Sequence, residues 1–242
     1  MMISPRVLAL SSSRVGDSGY LEVASPYIKT FLGDAPLHIA FIPFAAADNR
    51  YDDYLSRTAA ALKDLPYKLS VVKPENAASL VEEADAIMVG GGNTFKLLHD
   101  LYDLNLVELI QQKVTTGTPY VGWSAGANIT GLTISTTNDM PIVEPKSFKA
   151  FGFFPFQINP HYLNVKPEGH NGETRDERLA EFLKVRPSVK IVGLPEGSSL
   201  HLEGKGLQLK GQVSAVLFTS GRNDSGYVKT AIEVDADLSY LL

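Results

Sequence analysis

The chain has 242 residues, 44% of them hydrophobic and 20% charged, and this length and composition fit one soluble domain that spans residues 1–242. It contains 22 Lys and Arg and 27 Asp and Glu, which gives a formal charge of -5. Because the sequence also has no basic cluster, we expect no nucleic-acid partner. The lack of cysteine excludes disulfides, cysteine-bound metals and a thiol nucleophile.

The N-terminal residues 1–13 hold only a short apolar run at 7–10 and lack the features of a secretion signal. No stretch of the sequence approaches the roughly 20 apolar residues that cross a bilayer. We therefore expect a cytoplasmic protein with no membrane partner.

In the first half of the chain, short apolar runs rich in β-branched residues alternate with amphipathic segments. This alternation is typical of parallel strands joined by crossover helices. The predicted strands cover residues 6–10, 37–44, 68–72, 86–89 and 120–123. The predicted helices cover residues 51–62, 77–84 and 95–113.

The second half changes character, and its elements are shorter. We predict strands at 134–137, 156–159 and 189–194, a helix at 173–185, and an antiparallel meander at the sheet edge over 200–218. The whole pattern predicts an α/β fold with three α/β/α layers, a mostly parallel, flavodoxin-like sheet and an antiparallel edge. Such sheets bind ligands beyond the carboxyl ends of their strands, so the residues that follow each strand are the first candidates for a site.

The sequence Gly-Trp-Ser-Ala-Gly at 122–126 overlaps the end of the predicted strand 120–123 and precedes a segment of small residues. This is the G-x-S-x-G nucleophile elbow in the context that it requires, a strand, a tight turn and a helix. The pattern also arises by chance in ordinary turns, and its placement is what favours Ser124 as a nucleophile. The Ala125 N–H would then face a developing oxyanion.

A second bare turn, Gly-Gly-Gly-Asn at 90–93, follows the predicted strand 86–89. It lacks the lysine of a P-loop and the spacing of a dinucleotide motif, so nucleotide binding is disfavoured. The purely structural interpretation is a tight turn that tolerates positive φ. The functional one is the second half of an oxyanion hole, with the Gly92 N–H beside that of Ala125.

A serine nucleophile needs a histidine as its base, and the chain has five histidines. His38, His99 and His201 fall within predicted elements, where structural roles are favoured. His161 lies in the loop after the predicted strand 156–159 and is the first choice. His170, in another loop, is the second.

The third member of such a triad is a carboxylate that orients the imidazole. Two acids follow predicted strands, Glu196 after 189–194 and Asp139 after 134–137. Either could also cap a turn. The pattern alone leaves the choice between them open.

These motifs together resemble peptidase E, the family of α-aspartyl dipeptidases. The resemblance runs from about residue 8 to about residue 218 and is carried by the segments VGGGNTF at 89–95, GWSAGAN at 122–128, TTNDMPI at 136–142, QINPH at 157–161, GHNGETR at 169–175 and GLPEG at 193–197.

The resemblance implies a fold similar to the class I glutamine amidotransferases and hydrolysis of Asp-X dipeptides through an acyl-enzyme on Ser124, without a metal or other cofactor. It implies His161 as the base and leaves the acid divided between Asp139 and Glu196, of which we favour Glu196, with Asp139 shaping the site. It also suggests a homodimer.

The resemblance further implies that Arg175 grips the aspartate carboxylate of short peptides with N-terminal Asp, because arginine can bind a carboxylate bidentately. Asn93, Glu173 and His170 are further candidates for substrate binding, and Asp139 or Glu173 could hold the peptide's α-amino group. Two rival functions stay open. One is a cyanophycinase-like hydrolase of β-aspartyl linkages, and the other is a catalytically silent aspartate-binding module.

Overall fold

A computed structural model of the protein describes residues 5–166, 168–169, 171–221 and 225–242. Its strands are β1 (Arg6–Leu10), β2 (Leu37–Ile42), β3 (Tyr67–Val71), β4 (Ala86–Val89), β5 (Tyr120–Trp123), β6 (Gln157–Pro160), β7 (Ile191–Leu194), β8 (Ser198–Glu203), β9 (Gly206–Gly211), β10 (Ala215–Ser220) and β11 (Tyr227–Ile232). Its helices are α1 (Ser25–Leu32), α2 (Tyr51–Ala61), α3 (Ala77–Glu83), α4 (Thr94–Asp103), α5 (Leu106–Thr115), α6 (Ala125–Asn128) and α7 (Arg175–Val185), with a 3-10 turn at Ser239–Leu241. No helix in this part of the chain is long and apolar enough to cross a membrane.

The main sheet has the order β3-β2-β4-β5-β1-β8-β9. Its first five strands are parallel, whereas β8 and β9 run antiparallel at one edge. In the register of the central strands, Leu10 lies opposite Trp123, and Val89 lies opposite Gly122. The carboxyl ends of β1, β4 and β5 therefore meet at one edge, and so do the loops that follow them.

Both faces of the main sheet are covered, which confirms the predicted three layers. Alternate residues of β1 point to opposite sides, so that Val7 and Ala9 join one apolar cluster and Leu8 and Leu10 join the other. The inner strands β1, β2, β4 and β5 are apolar along most of their length because both of their faces are buried. This is why they could be recognised as short continuous apolar runs.

The prediction of one meander over 200–218 was partly wrong. β8 and β9 do form the antiparallel edge of the main sheet, but β10 leaves it and joins a second sheet of order β11-β10-β7-β6. There β10 pairs with β7, and its Phe218 packs against Tyr162 and Tyr227. Phe218 thus joins a separate small cluster, whereas Ala215 and Leu217 on the other face of β10 join the main one, which alternation along the chain could not reveal.

Two other predicted elements differ in the structure. The helix predicted at 95–113 is two helices, α4 and α5, because Asn105 between them adopts a left-handed conformation with φ 54°. Residues 134–137, predicted as a strand, form no strand, and only a single bridge joins Thr133 to Lys149 nearby. Thr136 instead binds β6, since its Oγ1 donates to the Ile158 carbonyl over 3.1 Å and its carbonyl accepts from Asn159 Nδ2 over 2.6 Å.

Candidate active site

Ser124 occupies the sharp bend between β5 and α6. Its backbone has φ 55° and ψ -113°, a conformation that a non-glycine residue adopts rarely and that is typical of strained functional turns. The bend is tight, since a Cβ added at Gly122 would lie 2.3 Å from the Gly126 carbonyl oxygen. The nucleophile elbow predicted from the sequence is therefore present as a backbone conformation.

We expect the substitution Gly122→Ala to destabilise the protein by about 1–3 kcal/mol, because the added methyl group meets backbone, which cannot rotate away. Gly206→Ala is the matched control, since a Cβ there would meet only the Glu203 carbonyl oxygen at an ordinary 3.5 Å. The measurement is urea unfolding of both variants. Equal losses of unfolding free energy would contradict the steric argument.

His161 and Glu196 complete a hydrogen-bonded row with Ser124. His161 Nε2 lies 2.9 Å from Ser124 Oγ, and His161 Nδ1 lies 2.7 Å from Glu196 Oε1. An ionised carboxylate can only accept, so the proton of the neutral imidazole is on Nδ1. Nε2 then offers its lone pair to the serine hydroxyl, which is the arrangement that a general base requires.

The second sheet is what brings His161 and Glu196 together. β6 and β7 are parallel neighbours in which Pro160 lies opposite Leu194, so the loops that follow both strands emerge side by side. Ser11, just after β1, fixes this pair against the main sheet. Its Oγ donates to the Leu194 carbonyl over 2.7 Å and accepts from the His161 N–H over 3.0 Å. His161 itself has φ 51°, so its loop turns sharply toward the elbow.

Asp139 is not bonded to His161, and its place in the predicted catalytic set as a partner of the imidazole is therefore not supported. Its Oδ2 accepts from the Thr94 N–H over 2.7 Å and from Thr94 Oγ1 over 2.5 Å, at the start of α4. These bonds anchor the loop 137–139 on the first residue of α4. Of the two acids that the sequence left open, Glu196 is the one that contacts the histidine.

The glycine turn after β4 lies directly against the nucleophile. A Cβ added at Gly91 would be 2.8 Å from the Ser124 Cβ. Gly92 has φ 137°, and a Cβ there would be 2.3 Å from the Ala45 carbonyl oxygen. Among the described residues, neither the Gly92 N–H nor the Ala125 N–H has a protein acceptor, so both predicted oxyanion donors are available.

Tyr54, on α2, joins this turn to the elbow. Its hydroxyl donates to the Gly91 carbonyl over 3.0 Å and accepts from the Trp123 Nε1–H over 3.2 Å. Trp123 immediately precedes the nucleophile. The buried Trp123–Tyr54 bond thus fixes the spacing between the two turns that would share an oxyanion.

Arg175 projects into the same cavity as Ser124 and His161. This cavity has a volume of about 240 Å³, and its lining includes Thr94 and Asp139 as well. Within the described part of the chain, no carboxylate forms an ion pair with the Arg175 guanidinium. Partial burial lowers the pKa of Arg175 below its ordinary value, although the group stays a cation at neutral pH.

Local structure holds Arg175 in this orientation. It is the first residue of α7, whose start is fixed by a capping box between Thr174 and Glu177. Its Nη1 donates to Asn159 Oδ1 over 3.2 Å, and the buried Asn159 amide donates in turn to Asn138 Oδ1 over 2.9 Å. The cation therefore has a fixed position and, among the residues that the structure describes, no counter-charge, as expected of a site for an anionic ligand.

Two further predicted substrate residues, Asn93 and Glu173, do not line this cavity. Asn93 caps α4 by accepting from the Lys96 N–H over 3.0 Å, and its Nδ2 donates to the Met140 carbonyl over 2.8 Å. Glu173 is exposed, and its Oε2 lies 3.9 Å from Arg178 Nε. His170 lies outside the described residues.

The three histidines assigned structural roles have partners away from Ser124. His38 Nε2 is 2.8 Å from Ser70 Oγ, His99 Nδ1 is 3.0 Å from Asp100 Oδ1, and the His201 ring meets Phe31 edge-on at 4.9 Å. Burial lowers the pKa of His201 below its ordinary value. None of them competes with His161 for the serine.

Sequence reasoning missed Ser11, Tyr54 and Asn159. Ser11 directly follows a predicted strand, so the rule that drew attention to strand ends would have found it. Asn159 lies in the same short motif as His161, but a buried amide looks like any polar loop residue in a sequence. Tyr54 carries no local signal, because only folding brings α2 to the glycine turn.

Comparison with known proteins gives a consistent result. Residues 7–210 match the model of peptidase family S51. The chain is 48% identical over 236 residues to a peptidase E of Shewanella oneidensis, covering 97% of this chain and 98% of that protein. A peptidase E of Shewanella baltica is also 48% identical and covers 97% of each chain.

Two solved structures share the fold. A Listeria monocytogenes structure assigned to peptidase E has a TM-score of 0.66 at 22% identity and covers 86% of this chain and 99% of its own. A peptidase from an acI-B1 Actinobacterium has a TM-score of 0.66 at 17% identity and covers 98% and 97%. At these identities the likeness concerns the fold alone.

Proposed function

Because this chain belongs to peptidase family S51, we propose that it is a serine dipeptidase that hydrolyses α-aspartyl (Asp-X) dipeptides through an acyl-enzyme on Ser124. The observation that carries the choice of substrate is the Arg175 guanidinium, which lines the cavity of Ser124 and His161 and has no carboxylate partner among the described residues. An aspartyl side chain would supply the missing charge.

In the first half of the reaction, His161 Nε2 takes the Ser124 proton as Oγ attacks the aspartyl carbonyl carbon. The negative charge that forms on the carbonyl oxygen is held by the N–H groups of Gly92 and Ala125. Glu196 stabilises the imidazolium through Nδ1. The proton then passes from Nε2 to the leaving nitrogen, the peptide bond breaks and the second residue departs as an amine.

In the second half, a water molecule takes the place of the departed amine. His161, neutral again, accepts a proton from this water as it attacks the aspartyl ester. The same oxyanion donors hold the second tetrahedral intermediate. Its collapse returns the proton to Ser124 Oγ and releases free aspartate.

Arg175 and Asp139 divide the recognition of the N-terminal residue between them. The Arg175 fork binds the side-chain carboxylate, and a bidentate pair of this kind fixes both the charge and the orientation. Asp139 lines the same cavity and supplies the negative charge for the peptide's α-ammonium group. Glu173, the other candidate for the ammonium group, does not line the cavity.

The substitution Arg175→Ala is expected to lower kcat/KM for Asp-Leu by about 100-fold or more, because it leaves the substrate carboxylate buried without a partner. Hydrolysis of Asn-Leu, which carries no such charge, should fall far less. Arg178→Ala is the matched control, since this arginine is on the same helix but exposed to solvent. Equal losses of kcat/KM for Asp-Leu and Asn-Leu would show that Arg175 does not bind the aspartyl carboxylate.

A panel of α-linked and β-linked aspartyl dipeptides, with Glu-Leu and Asn-Leu, tests the proposed function as a whole. The expected result is a kcat/KM for the α-linked aspartyl substrates well above those for the other peptides, with slow residual cleavage of Asn-Leu. Preference for the β-linkage would indicate a cyanophycinase-like hydrolase. No cleavage, together with no labelling of Ser124 by a phosphonate reagent, would indicate a silent binding module.

A further inference from the structure

A second cavity lies beside the glycine turn. It has a volume of about 510 Å³ and is bounded by the loop after β2, by α2 and by the Gly91–Asn93 backbone, with Ala45, Tyr54 and Arg57 in its wall. This volume is within the range of roughly 300–1,000 Å³ that is usual for small-molecule sites. The cavity that contains Arg175 has none of these lining residues.

The distinctive group in this second cavity is Arg57. Its guanidinium carbon lies 4.7 Å from the centroid of the Tyr20 ring and 4.8 Å from that of Tyr54. A guanidinium that contacts aromatic faces keeps the N–H donors in its own plane free for other partners. Within the described ranges, no acceptor bonds to any of these donors.

The other arginine of this cavity is already neutralised. Arg50 Nε lies 2.8 Å from Asp48 Oδ2, and Arg50 Nη1 lies 3.7 Å from Asp53 Oδ2. The same pairing raises the pKa of Arg50 and lowers that of Asp48. Arg57 is thus the cation that a ligand could reach without displacing an ion pair.

A short series of contacts joins Arg57 to the nucleophile. Arg57 packs on the Tyr54 ring, the Tyr54 hydroxyl donates to the Gly91 carbonyl, and Gly91 lies against Ser124. A peptide whose aspartyl side chain occupies the Arg175 cavity must extend away from it beyond the scissile bond. The Arg57 cavity is lined by Gly91 and Gly92 of the glycine turn that contacts Ser124, which makes it the candidate for that extension.

We infer that the Arg57 cavity receives the second residue of the dipeptide and that Arg57 binds its free α-carboxylate. This assignment rests on the proposed function. Two arginines would then bind the two carboxylates of the substrate, Arg175 that of the aspartyl side chain and Arg57 that of the carboxyl terminus. In a longer peptide, the group beside Arg57 would be an uncharged amide in place of a carboxylate. The enzyme would therefore prefer dipeptides to longer peptides.

The test compares Asp-Leu with Asp-Leu amide, which differs only in the C-terminal charge. For the wild-type protein we expect kcat/KM to be about 10-fold or more higher for the free acid, as is usual for hydrogen bonds to charged groups. Arg57→Gln should bring this ratio close to one. Arg57→Lys keeps the charge but not the planar fork, so its ratio should lie between the two.

Arg6→Gln is the matched control, because Arg6 also packs on an aromatic ring but is already paired with Glu203 at the opposite end of β1. For Arg6→Gln, the ratio of kcat/KM for Asp-Leu to kcat/KM for Asp-Leu amide should equal that of the wild type. A wild-type ratio near one, or a ratio that both Arg57 variants retain in full, would overturn the assignment and leave the proposed function intact. Failure of the wild-type protein to cleave either substrate would overturn both.

Discussion

Replacing Ser124 with alanine is expected to lower kcat/KM for an Asp-X dipeptide by roughly 10⁴-fold or more, the size of loss usual when a triad nucleophile is removed. Without Oγ no acyl-enzyme can form, and only binding and the oxyanion donors can still assist water. The fold should survive, because Ser124 is held by its backbone, whose N–H donates to the Leu10 carbonyl over 3.1 Å. The measurement is hydrolysis of Asp-Leu by variant protein whose thermal midpoint matches that of the wild type.

Ser79→Ala serves as the control for this substitution. Ser79 is an exposed serine on α3 whose Oγ donates to the Asn76 carbonyl, so its loss should leave turnover at the wild-type level. A phosphonate reagent should label the wild-type protein and the Ser79 variant but not Ser124→Ala. Turnover by Ser124→Ala at the wild-type rate would exclude the acyl-enzyme mechanism.

Glu196→Gln should reduce kcat by roughly 10²–10³-fold. The glutamine keeps the shape of the side chain but loses the charge that holds the proton on His161 Nδ1 and stabilises the imidazolium. The analogous loss in a triad with a buried acid is about 10⁴-fold, and a smaller one is expected here because the Glu196 side chain is 49% exposed and water replaces part of its effect. The measurement is kcat for Asp-Leu under saturating substrate.

The substitution Asp139→Asn distinguishes the role of Asp139 from that of Glu196, which the sequence left open. Asp139 binds Thr94 rather than His161, and its proposed contact is with the substrate's α-ammonium group. We therefore expect its loss mainly as a higher KM, in contrast to the loss of kcat in Glu196→Gln. A larger fall in kcat for Asp139→Asn than for Glu196→Gln would reverse the assignment.

The fold shows where sequence patterns carry information and where they do not. The parallel strands were found because a strand buried on both faces must be apolar along its whole length. The helix break at Asn105 was missed because the apolar spacing continues through it, and the left-handed turn depends on that one residue. The second sheet was missed because β10 has the same alternation whether it pairs with β9 or with β7.

The amino-acid sequence by itself determined the parts of the site that depend on local sterics. The bend at Ser124 needs a strand, close-packed small residues and a short helix in succession. Consecutive residues of the sequence meet all three requirements. The position of His161 at a strand end was likewise visible in the sequence, although its pairing with Ser124 was a prediction that depended on the elbow.

Only the tertiary structure decided which groups meet. Glu196 and Asp139 both follow predicted strands and carry the same charge, and nothing local distinguishes them. The parallel pairing of β6 with β7 places Glu196 beside His161, whereas Asp139 binds Thr94 at the start of α4. Pairing between strands that are distant in the chain depends on the burial of whole sheet faces, and that is a property of the assembled core rather than of any segment.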